Sequence, residues 1–102
     1  MKHSEYFLQT RKWFEEKEEW LREHGIVGCI RTSDHDGVVN SAALELKHES
    51  GEVTFIIWDD GNAETHQILW NIQQDVTWTR YHVADADEVT LLLQKSANWL
   101  AA

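Results

Sequence analysis

The sequence predicts an α+β domain: an N-terminal helix, a five-stranded antiparallel meander and a C-terminal helix, with both helices on one face of the sheet. Three observations lead there. Both ends of the chain carry apolar residues at helical spacing. Between them run five segments rich in Val, Ile, Thr, Trp and Tyr. The connections between those segments are too short for crossover helices, so neighbouring strands must run antiparallel. With 102 residues, no proline and no linker, residues 1–102 read as one domain, large enough for a single hydrophobic core.

Residues 5–24 are expected to be an amphipathic helix, because Phe7, Trp13, Phe14, Trp20 and Leu21 recur on one side. Ser4 is placed to cap its first turn and Gly25 to end it. On the other side, Glu15, Glu16, Glu18, Glu19 and Glu23 lie within a turn of Lys12, Lys17 and Arg22, which makes an ordinary solvated face. Strands are expected near 26–32, 38–47, 52–58, 63–70 and 75–83, with Cys29 as a small core residue in the first. Turn signals at Asp34-His35-Asp36-Gly37, Ser50-Gly51 and Asp59-Asp60-Gly61-Asn62 punctuate them. The connection from Asn71 to Gln74 lacks glycine, so a short helix around 63–73 stays as an alternative to the fourth strand. A strand is preferred because Ile68-Leu69-Trp70 has no helical stripe. Asp85-Ala86-Asp87-Glu88 then resembles a capping box opening a second helix, whose apolar stripe is Val89, Leu92, Leu93, Trp99 and Leu100.

Turn chemistry extends to register. If Ser50-Gly51 is a two-residue turn, Leu46 opposes Phe55 and Leu44 opposes Ile57, placing them with Val53 under the helices. If Asp60-Gly61 is another, Ile57 opposes Glu64 and Val53 opposes Ile68. Pairing Trp70 with Asp75 adds Tyr81 and Val83 to the covered face. The reverse face then shows Thr54, Ile56, Trp58, Thr65, Gln67, Leu69, Trp78, Arg80 and His82. Two tryptophans and three aliphatics stand there, where a solvated sheet favours Thr, Lys and Glu.

Charge narrows the function classes. The formal net charge of -9 repels phosphate backbones and anionic lipid headgroups, so neither nucleic acid nor a membrane surface is an expected partner. Residues 48–102 carry -7 of it, with only Arg80 and Lys95 as bases. The charged start Met1-Lys2-His3-Ser4-Glu5 has no apolar signal-peptide run and the single Cys29 offers no internal disulfide, which together predict a cytoplasmic protein. Six histidines, at 3, 24, 35, 48, 66 and 82, show no zinc-binding spacing. No phosphate-cradling loop or nucleophile elbow is present, and Asp34-His35-Asp36 lacks a partnered nucleophile. No catalytic residue, metal or cofactor is therefore expected.

What stands out is acid at turns. Asp34, Asp36, Asp59, Asp60, Asp85, Asp87 and Glu88 fall at the first, third and fifth connections, which a meander brings to one end of the sheet. Such carboxylates also serve locally as turn formers and caps. Read as a partner surface, Asp34, Asp36, Asp59, Asp60 and Asp87 would meet a basic protein, with Trp58 and Trp78 as anchors.

The helix with Trp-Phe and Trp-Leu pairs, the glycine break, Gly51-x-Val53-Thr54, then Trp58-Asp59-Asp60-Gly61-Asn62-Ala63-Glu64, an aromatic strand and a short C-terminal helix together resemble bacterial immunity proteins. The pattern is similar to the TriTu-type immunity family of contact-dependent growth inhibition, over nearly the whole chain, with Trp58-x-x-Gly61 as its motif. The resemblance implies a cytoplasmic antidote that binds the C-terminal domain of a delivered toxin. In related systems that domain is a tRNA-cleaving nuclease able to engage the translation factor EF-Tu. It transfers no binding residue, because immunity surfaces vary with their toxins. An acidic secretion chaperone or adaptor, and a small homodimeric enzyme or ligand-binding domain, remain the alternatives.

Overall fold

The first helix stops where its chemistry requires. The computed structural model describes residues 4–35, 38–70 and 77–101, and in it α1 spans Ser4–Glu23. Gly25 then takes φ 74°, its N–H meets the Arg22 carbonyl at 3.0 Å, and the Ile26 N–H meets the Leu21 carbonyl at 2.8 Å. That is a Schellman ending, and Leu21 and Ile26 are both buried beside it. Five strands follow: β1 (Val27–His35), β2 (Val38–His48), β3 (Gly51–Trp58), β4 (Asn62–Leu69) and β5 (Thr77–His82). They pair antiparallel in the order β1-β2-β3-β4-β5, and α2 (Ala86–Ala101) completes the chain. The α+β meander is thus as expected, and 62–69 is strand rather than helix. The connection 71–76, and with it the expected pairing of Trp70 with Asp75, lies outside the described residues.

Alternation along β3 is complete, with Val53, Phe55 and Ile57 buried and Thr54, Ile56 and Trp58 half-buried. Ala42, Leu44 and Leu46 of β2 join the buried set, against Trp13 and Leu21 of α1 and Val89, Leu93, Ala97 and Leu100 of α2. Both helices cover this one face, and Gln9 of α1 ties them together by donating to the Thr90 hydroxyl of α2 at 2.7 Å. Cys29 is exposed, not core: period-two alternation turns it outward opposite Glu45, between Gly28 and Ile30 on the covered face.

Three registers differ from expectation, one of them β4–β5, where Glu64 faces Arg80 and not Tyr81 as pairing Trp70 with Asp75 implies. The β2–β3 turn is Glu49-Ser50, closed by His48 opposite Gly51, so Leu46 faces Val53 and Leu44 faces Phe55. Gly51 lies in the strand, opposite His48 and Leu69, and only glycine fits there because a Cβ would collide with the Ile68 carbonyl. A two-residue shift leaves every side chain on its face. The β3–β4 loop has greater consequence. Gly61 donates to the Trp58 carbonyl at 3.1 Å and takes φ 92°, making a three-residue loop with a left-handed glycine instead of a two-residue turn. Ile57 therefore faces Ala63 and Val53 faces Gln67. One residue of slip inverts the whole strand. Thr65, Gln67 and Leu69 lie on the covered face, and Glu64, His66 and Ile68 take the open one.

Gly61 also accepts from the Val83 N–H at 2.8 Å, while a Cβ on it would stand 2.7 Å from the Val83 carbonyl. Gly61→Ala is expected to destabilise the protein by about 2 kcal/mol or more, through left-handed strain plus that contact. Gly25→Ala, where the nearest atom is the flexible His48 ring at 3.5 Å, should cost about 1 kcal/mol. Urea unfolding measures both; equal losses would mean that the Val83 contact relaxes freely.

Candidate functional site

The third and fifth connections are held together by the Val83–Gly61 hydrogen bond, and the sheet order puts the β1–β2 end beside them. The acids of the β3–β4 loop and of the α2 start therefore share one end of the molecule. Asp34 belongs to that end by its backbone position in β1, and Asp36 lies outside the described residues.

Local structure already employs several of these carboxylates. Asp60 accepts the Asn62 N–H at 3.0 Å and the Asn62 side-chain amide at 2.8 Å. Asp85 accepts the Glu88 N–H at 3.0 Å, and Glu88 reaches back to the Ala84 N–H at 3.1 Å. This is the expected capping box, displaced by one residue on its return bond. Asp59 and Asp87 have neither a hydrogen bond nor an ion pair among the described residues. Asp59 is half-buried and Asp87 exposed.

Trp58 stands at the acid end of the open face. With Asp60, Asn62, Ala63, Glu64, Arg80 and Tyr81 it lines a cleft of about 570 Å³. Arg80 donates to Glu64 at 3.0 Å across the β4–β5 pair, and His82 meets the Asn62 side-chain oxygen at 3.2 Å. Asn62, Glu64 and Arg80 had not been singled out as a site. The Glu64–Arg80 opposition follows from the β4–β5 register, which is one residue away from the one that pairing Trp70 with Asp75 gives.

Trp78 is 62% exposed on the same face but not at the rim. It stacks on His66 with ring centroids 4.1 Å apart, one row beyond Glu64 and Arg80. From the spacings of strands and residues it lies roughly 16 Å from Trp58. The two tryptophans thus do not form one anchor. Across the remainder of the open face charges balance: Arg31 pairs with Glu45, and Lys47 stands opposite Glu52.

No group of three metal-capable side chains occurs among the described residues. Among them, too, no helix is long and apolar enough to cross a membrane. Compared with protein-family models, curated proteins and solved structures, the chain finds no match.

Proposed function

We propose that this chain is a cytoplasmic immunity protein, which binds a cognate contact-dependent growth inhibition toxin and neutralises it by covering the cationic surface the toxin uses for RNA. The observation that carries this reading is acid without a bond among the described residues, Asp59 next in sequence to Trp58 and Asp60 of the cleft and Asp87 at the start of α2, at one end of the sheet in a chain of net charge -9. A tRNA-cleaving nuclease is basic because its substrate is polyanionic, so such a rim is complementary to it and repels the RNA itself. EF-Tu, where the toxin uses it, would join through the toxin. The test is co-purification with the protein encoded directly upstream, followed by tRNA cleavage with and without equimolar chain. A stable complex with cleavage abolished supports the assignment; cleavage unaffected by excess chain rejects it.

Within that complex Trp58 is the expected anchor, half-buried already and set against the cleft. Trp58→Ala should raise the dissociation rate about 30-fold, the equivalent of about 2 kcal/mol, with association nearly unchanged. Surface plasmon resonance separates the two rates. An effect confined to association would remove Trp58 as a packing anchor.

A further inference from the structure

We infer that β5 is a docking edge, and that its occupant is an extended segment of a basic partner, added to the sheet as a sixth strand with its cationic side chains beside Asp60, Asp87 and Glu88. This rests on the reading above and specifies how contact is made.

Hydrogen-bond phase supplies the first argument. In an antiparallel ladder, pairs that exchange main-chain bonds alternate with pairs that do not. The Trp70 N–H meets the Ser50 carbonyl at 3.0 Å, so even-numbered residues of β4 bond toward β3. The Val83 N–H meets the Gly61 carbonyl at 2.8 Å, so odd-numbered residues of β4 and β5 bond to each other. Two independent bonds agree. The N–H and C=O groups of Trp78, Arg80 and His82 therefore point outward along the sheet's last strand.

Among the described residues no strand pairs with the outer side of β5. Its pairing with β4 runs without a register shift from Gln67–Thr77 to Asn62–His82, and it has no proline. The other edge, β1, is interrupted between Ser33 and His35. Clefts also flank β5 on both sides. One is the Trp58–Arg80 cleft of about 570 Å³; the other, about 220 Å³, lies between β5 and α2 and is lined by Tyr81, Val83, Glu88, Leu91 and Leu92. Leu91 is 69% exposed there and Trp78 62% on the opposite side. An added strand sends alternate side chains to the two faces of the sheet, so one set meets Leu91 and Tyr81, the other Trp78. Charge selects the occupant. Asp60 and Glu64 line one cleft and Glu88 the other, with Asp87 next in sequence, whereas the edge's only base, Arg80, is already paired. A second copy of a chain of net charge -9 is a poor match for that site.

The test compares Arg80→Pro with Arg80→Ala in the full chain, binding the protein encoded directly upstream. Both variants lose the Glu64 pair, but only proline removes an outward N–H, and none of the internal ladder bonds is lost with it. Binding at least 10-fold weaker for Arg80→Pro than for Arg80→Ala, with unchanged circular dichroism, supports the docking edge. Equal binding by the two overturns it while leaving the immunity reading intact. If Arg80→Pro fails to fold, amide hydrogen exchange on the unaltered chain decides: slowing at Trp78, Arg80 and His82 in the complex supports the edge, and unchanged exchange overturns it. Protection there that grows with the concentration of the free chain assigns the edge to a second copy, and also overturns it. Failure of the unaltered chain to bind removes the immunity reading and this inference with it.

Discussion

Association with the toxin is expected to slow about 100-fold at low salt when Asp59→Lys and Asp87→Lys are combined, and the dependence of its rate on ionic strength should flatten. These two positions are chosen because each carboxylate lacks a bond among the described residues, so reversal alters the field and little else. Asp60 is a poorer choice. Its carboxylate holds both amide groups of Asn62, and Asp60→Lys would disturb the loop as well as the charge. The control is Glu15→Lys with Glu19→Lys, two exposed positions on α1 that make the same change of four charge units. Stopped-flow association at two ionic strengths gives the answer. Equal slowing by both pairs would mean that net charge alone attracts the partner, and slowing by the helix pair only would remove the rim from the encounter.

Phe55→Ala is expected to cost about 3–5 kcal/mol, a large part of the roughly 5–15 kcal/mol that holds a domain of this size together. Phe55 is 1% exposed at the centre of the covered face, between Leu44 on one neighbouring strand and Thr65 on the other. Removing its ring leaves a void that two helices and three strands must all shift to fill. Ile56→Ala, one residue on and facing the other way, should cost only about 1 kcal/mol, because that side chain stays partly in contact with water. Urea unfolding of both variants tests the contrast. Comparable losses would show that the open face is also covered in solution, and would argue for a dimer.

Much of this fold could be read where a single local rule decides the outcome. Gly25 ended a helix, Asp85 and Glu88 began another, and the alternation of β3 declared which side is core. Register was harder because it depends on counting one loop correctly. Asp59-Asp60-Gly61 supports a two-residue or a three-residue connection by composition alone, and only the left-handed φ of Gly61 after a Trp58-capped turn selects the longer one. That choice turned Glu64 and His66 to the open face, where the β4–β5 register sets them opposite Arg80 and Trp78. The shared acid end was legible from topology, since it needs only the order of the strands. Which carboxylates are occupied was not, because Asp60, Asp85 and Glu88 are engaged by backbone N–H groups whose directions follow from the finished loops.

Every strand here bonds only to its neighbours in sequence, so the sheet is assembled from hairpin closures of short span. The entropy cost of each closure grows only slowly with loop length and is small for loops like Glu49-Ser50 or Asp59-Asp60-Gly61. The helices are the exception: both pack on β2 and β3, and Gln9 and Thr90 stand 81 residues apart in the chain. Hairpin closures can build the sheet, and the longer closures are those that bring α1 and α2 onto it and onto each other. On the immunity reading proposed above, a sheet whose strands pair only with their neighbours in sequence would shorten the interval between synthesis and protection.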